Sequence, residues 1–78
     1  MEITLDRLGV GGRGIITALG AQGAMRRRFL DFGLIEGTPV ECLRVGPSGS
    51  PILYRVRGTL LALRRKDAAS LRAEADPS

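Results

Sequence analysis

A chain of 78 residues holds one small domain and leaves no room for a second. Twelve basic against eight acidic side chains give a net charge of +4, and 44% hydrophobic with 26% charged residues is the profile of a folded domain rather than a disordered tail. With no His and a single Cys, the sequence excludes a histidine general base, a zinc cluster, a redox pair and a disulfide framework, so a conventional enzyme is not expected.

The first segment, Thr4 to Leu8, is anchored by Ile3, Leu5 and Leu8 and is long enough only for a strand or a single turn. Gly9, Gly11, Gly12 and Gly14 then break regular structure. Gly14 to Leu19 is rich in β-branched residues and predicts a strand with Ile15, Thr17 and Leu19 on one face. After a loop over Gly20 to Gly23 the period changes. Met25, Phe29 and Phe32 recur at i, i+4 and i+7, with Arg26, Arg27 and Arg28 on the other side of the wheel, predicting a short amphipathic helix over Ala24 to Phe32. Gly33 follows as the left-handed residue that ends it. A helix this short is stable only when docked on a sheet.

Leu34 to Gly37 reads as a turn, followed by a strand over Thr38 to Val45 that alternates imperfectly, Val40 and Cys42 against Leu43 and Val45. Gly46 to Pro51 is a loop. Ile52, Tyr54 and Val56 alternate with Leu53, Arg55 and Arg57, and Leu60 to Arg65 forms the next strand. The intervening Gly58-Thr59 predicts a tight type II′ hairpin. Asp67 to Leu71 predicts one short helix, and residues 74–78 a frayed tail behind a single domain over residues 1–73. The expected fold is mainly β: a small, partly open SH3-like barrel with one short docked helix and a short C-terminal helix.

At this point the residues resemble a known family. Arg28-Phe29-Leu30-Asp31-Phe32-Gly33-Leu34-Ile35-Glu36-Gly37-Thr38-Pro39-Val40 is similar to the signature of the FeoA family, small accessory proteins of ferrous-iron transport. Pro51-Ile52, Arg55 to Gly58, Leu61 to Arg64 and Asp67-Ala68 continue the match, and Leu5, Leu8, Gly12 and Ile15 fit its opening. Phe32 stands where the family usually has Leu, and Leu71 to Glu74 lacks the hydrophobic final strand, so an incomplete last strand and an open edge are expected. The resemblance implies an accessory that contacts the membrane Fe(II) permease, which carries a cytoplasmic GTP-binding domain. Its location is expected to be cytoplasmic, without membrane insertion. The longest apolar run, Leu60 to Leu63, is four residues against about 20 for a bilayer span, and the N-terminal acids Glu2 and Asp6 are unlike a signal peptide. The unpaired Cys42 fits a reducing compartment.

No catalytic residue, metal site or cofactor is expected. The acids are dispersed, Cys42 stands alone and reads as a small buried hydrophobe, and Fe(II) sites need several convergent ligands. The early glycines enter a strand with no lysine nearby, unlike a phosphate-binding loop. A proline-peptide groove needs several exposed aromatics, whereas aromatic residues of every kind make up only 4% here, with no Trp. The Arg26-Arg27-Arg28 run reads either as a solvated helix face or as a contact for an acidic partner. Arg55 and Arg57 on one strand, with Arg64 and Arg65 on its hairpin partner, offer a second basic patch, which Glu41 would partly neutralise across the ladder. The expected partner-binding set is Arg26, Arg27, Arg28, Leu30, Leu34, Ile35, Leu53, Arg55 and Arg57. The alternatives are a basic nucleic-acid-binding module, whose signal is weak if both phenylalanines are core, and a metal-sensing domain of a repressor, weakened by the missing ligands. An open edge would also permit self-association.

Overall fold

A computed structural model describes residues 1–76. Six strands, β1 (Glu2–Thr4), β2 (Arg13–Leu19), β3 (Pro39–Val45), β4 (Ile52–Val56), β5 (Thr59–Leu63) and β6 (Leu71–Ala75), form one antiparallel sheet in the order β1-β6-β2-β3-β4-β5. A 3₁₀ turn over Leu5–Arg7 and two helices, α1 (Gly23–Asp31) and α2 (Arg65–Ala68), complete it. The core gathers Leu5, Ile16, Phe29, Leu34, Ile52, Tyr54 and Leu71, all fully or nearly fully buried. Cys42 lies among them as a buried free thiol.

The final strand corrects the sequence reading. The short helix sits at Arg65–Ala68 rather than over 67–71, and Leu71–Ala75 is a strand between β1 and β2. Leu71 and Ala73 point into the core and Arg72 and Glu74 point out, a period of two carried by small residues of low β-propensity. The outward charges are used: Arg72 pairs with Glu2 at 3.5 Å and Glu74 with the N-terminal ammonium. Residues 74 and 75 therefore belong to the sheet, while the rest of the expected tail, residues 77–78, lies outside the described residues. Close approach is built in at Gly14, where a Cβ would lie 2.8 Å from the Glu74 carbonyl oxygen.

Other elements shift by one residue or one face. Gly14 and Ile16, not Ile15, face the core, and a bulge between Ile16 and Ala18 resets the alternation so that Leu19 packs inward too. A second bulge between Cys42 and Arg44 explains the imperfect pattern of β3. The hairpin turn is Arg57-Gly58, with φ of 52° and 78°, closed by the Val56–Thr59 pair. Two left-handed residues make it type I′ rather than II′. Helix α1 ends as expected at Gly33, φ 83°, with Leu34 N–H donating to Phe29 and Gly33 N–H to Leu30. That pattern folds Leu34 under the helix. Phe32 caps the helix with its backbone still helical, its N–H donating to the Arg28 carbonyl at 3.1 Å, but its side chain is 44% exposed, not core. Thr38, buried, donates its hydroxyl to the Gly33 carbonyl at 2.9 Å and so satisfies an orphan acceptor at the helix end.

Gly14→Ala should drive its new methyl into the β6 backbone and cost about 1–3 kcal/mol, read as a lowered Tm in a thermal melt. The Tyr54 hydroxyl donates to the Leu5 carbonyl at 3.1 Å. Burial first, then the neighbouring Cys42 and Asp6, push its phenol above the ordinary tyrosine range. The unfolded phenol ionises near pH 10, so this stabilisation is complete below about pH 10 and is lost as pH rises through the folded value. Tyr54→Phe should flatten the fall in denaturant midpoint above about pH 10, at a cost near neutrality of about 1–2 kcal/mol. Burial also raises the Cys42 thiol, which adds the same sign of slope and is common to both proteins.

Candidate partner-binding surface

The structure distributes the expected contact residues over several elements. Arg26, Arg27, Arg28 and Leu30 are exposed on α1, and Ile35 is exposed on the turn that follows. Leu34 is not available: it is fully buried by the helix-ending turn and belongs to the core. Leu53 is half-buried on β4, where the bulge sets it opposite Arg44. Arg55 is exposed on the same strand, and Arg57 in the hairpin turn runs past the end of α1, since a Cβ on Gly33 would lie 3.7 Å from its Cδ. A cation there also faces the negative end of the helix dipole.

Cross-strand register organises the charges. Arg13, Glu41 and Arg55 stand side by side on β2, β3 and β4. Arg55 Nη1 lies 3.2 Å from Glu41 Oε1, and Arg13 Nε lies 3.9 Å from Glu41 Oε2. The neutralisation expected of Glu41 is therefore present, and it is shared with Arg13. On α1, Arg27 pairs with Asp31 one turn on. Arg65 is committed to structure: it donates to the Gly49 and Asp6 carbonyls and pairs with the Asp6 carboxylate.

Two grooves border these residues and share no lining residue. The larger, about 540 Å³, lies among β2, β3, the hairpin turn and the end of β6, with Ile15, Pro39, Val40 and Ala75 as its apolar lining and Arg13, Arg55 and Arg57 along it. The second, about 280 Å³, lies between α1 and the β5–α2 segment, with Phe29, Phe32, Leu61 and Leu63 inside and Arg28, Arg64 and Lys66 around it. Arg13, Ile15, Pro39 and Lys66 were not expected at a contact surface, and Arg64 was expected in a basic patch on the sheet rather than beside α1. For Ile15 the missed signal was its alternation with Gly14 and Ile16; for Lys66, and for the placing of Arg64 beside α1, there was none, because proximity to α1 exists only in three dimensions. Among the described residues, no group of three or more His, Cys, Asp or Glu side chains is placed to hold a metal ion. Phe32 is the exposed aromatic, with Tyr54 and Phe29 closed in the core.

A six-stranded antiparallel β sheet with a docked basic helix and open apolar grooves defines a small, mainly β domain. The family model for the FeoA domain matches residues 3–75, and the chain belongs to that family. A relative is the Fe(2+) transport protein A/Fe(2+) transporter FeoB fusion protein of Porphyromonas gingivalis, 30% identical over 70 residues; these are 90% of this chain, which spans 8% of the fusion protein's length. The solution structure of FeoA from Chlorobium tepidum is 36% identical with a TM-score of 0.83, covering 94% of this chain and 68% of that one. Zinc-complexed FeoA of Stenotrophomonas maltophilia, described as a prokaryotic SH3 domain protein, is 29% identical with a TM-score of 0.78, covering 92% of this chain and 89% of that one. The fold is thus SH3-like, as the sequence implied.

The buried and exposed positions after α1 separate in a simple experiment. Leu34→Ala should cost about 2–5 kcal/mol in chemical denaturation, whereas Leu30→Ala and Ile35→Ser should each stay within about 0.5 kcal/mol of the parent.

Proposed function

We propose that this domain is an accessory of ferrous-iron uptake that works on the cytoplasmic side by contact with the GTP-binding Fe(II) permease, with no catalytic step of its own. The observation that carries this reading is the relative in which an FeoA-like stretch and the transporter FeoB share one polypeptide. Covalent linkage turns an encounter between two modules into an intramolecular event at high effective concentration. The surface supports the same reading. Leu30 and Ile35 are exposed beside the Arg26-Arg27-Arg28 run, and an apolar centre edged by guanidinium groups suits a protein interface. Among the described residues no helix is long and apolar enough to cross a membrane, so the membrane part of the system would be supplied by the partner.

The test is a titration of the purified domain against full-length permease in detergent and against its isolated cytoplasmic domain, at two salt concentrations, with an RNA oligonucleotide as control. Saturable permease binding that survives the higher salt, and that weakens with Leu30→Ala or Ile35→Ser, is the expected result. Steeply salt-dependent RNA binding without permease contact would sink the reading in favour of a nucleic-acid module.

A further inference from the structure

Two strands of the sheet have a single neighbour, and they are guarded differently. β1 is three residues long and carries Glu2, whose carboxylate accepts from Thr17 and pairs with Arg72. β5 is five residues, Thr59 to Leu63, with neither charge nor proline, and Leu60 is 60% exposed. An apolar, uncharged edge is a template for another strand.

The hairpin fixes which backbone groups are free. A two-residue turn closes on a pair that exchanges both backbone hydrogen bonds, here Val56 and Thr59. Alternation then bonds Leu61 and Leu63 to β4, while Leu60 and Ala62 aim their N–H and C=O groups away from it. Among the described residues, no turn, loop or cap hydrogen bond uses those groups.

Beside this edge lies the groove under α1, with Phe32 and Leu61 inside and Arg28, Arg64 and Lys66 around it. Among the described residues none of these three cations has an ion pair, whereas Arg13, Arg27, Arg55, Arg65 and Arg72 all do; Arg7, Arg26, Arg44 and Arg57 are without one too, but only these three gather at this groove. Asp67 is the lone acid of the lining.

We infer that the β5 edge and its groove bind an extended acidic and apolar peptide segment of a partner protein, added to the sheet as an antiparallel seventh strand. Leu60 and Ala62 supply the ladder, the groove takes alternate apolar side chains, and Arg28, Arg64 and Lys66 select the acids. A second copy of this chain is the poorer occupant, because edge-to-edge pairing would oppose two unpaired basic rims. The inference deepens the accessory reading by naming the recognised element, and it rests on that reading only for which protein supplies the segment.

The probe is a fluorescein-labelled seven-residue peptide, two glutamates followed by alternating valine and threonine, titrated into the full chain. Saturable binding is expected, with new exchange protection at the Leu60 and Ala62 amides by NMR. N-methylation of the peptide at the laddering amides should abolish binding. Arg64→Glu with Lys66→Glu should weaken it roughly tenfold. Ala62→Pro should also abolish it, since that N–H is not used by β4 and proline is tolerated there. A thermal melt checks that this variant folds, and the N-methylated peptide tests the same ladder on the unaltered chain. The inference is overturned by an absence of saturable binding, by binding indifferent to N-methylation, or by sedimentation showing dimers that Ala62→Pro dissolves. Permease titrations run in parallel keep the two readings apart. Permease binding without peptide binding removes this inference alone, and edge binding of the peptide without permease binding removes the accessory reading alone.

Discussion

Strand β6 is the constraint on which the sheet depends, because it alone joins the first strand to the rest. β1 pairs only with β6, and β6 pairs in turn with β2. The last strand in sequence thus occupies the middle of the N-terminal half of the sheet. Small residues make that insertion work. Gly14 leaves room for the Glu74 carbonyl, and Ala73 fills the layer between Ile3 and Ile16 without displacing either. The pairings of β6 join residues far apart in sequence, so the β1-β6-β2 half of the sheet closes only when β6 has arrived, whereas β3, β4 and β5 pair with their sequence neighbours.

The same economy governs the surface. A domain of this size has little core to spare, and it uses its charges to hold strands in register rather than to build a site. Glu41 bridges two arginines across three strands, Arg72 and Glu2 tie β6 to β1, and Arg65 clasps the Gly46–Pro51 loop to the first 3₁₀ turn. Each such exposed pair contributes little alone. What they do is subtract cations from the surface, so that the ones left unpaired around α1 mark where a partner's acids would be accepted.

Much of the fold was legible in the sequence, and the gaps have physical causes. Strands β2 to β5 announced themselves by β-branched residues and turn chemistry, and α1 by its period and by Gly33. β6 did not, because Ala73 and Ala75 are small and lack β-propensity; the sheet accepts them for their size. Leu34 looked like a surface apolar residue because turns usually are exposed, but the six-to-one hydrogen bond to Phe29 tucks it inward. Phe32 erred the other way. Its spacing fits the helical period and its backbone is still helical as the cap, yet its side chain lines an open groove rather than the core. Of the contact surface, the residues on α1 and β4 were readable as basic or apolar; which of them share a groove was not, because a groove is a property of docking between elements.

The pairing of β1 with β6 also brings the two ends of the domain together. The Ala75 N–H donates to the Met1 carbonyl at 2.9 Å, and the Asp76 N–H to the Arg13 carbonyl at 2.8 Å, so the polypeptide comes in and goes out at one corner of the sheet. A domain with adjacent ends can be spliced into the loop of a host protein, or closed by a short linker and reopened elsewhere, without stretching any strand. Such a module is a portable cassette: it can be tethered through one end or through both, and the groove beside β5 has no lining residue from β1 or β6, the strands that carry the tethers.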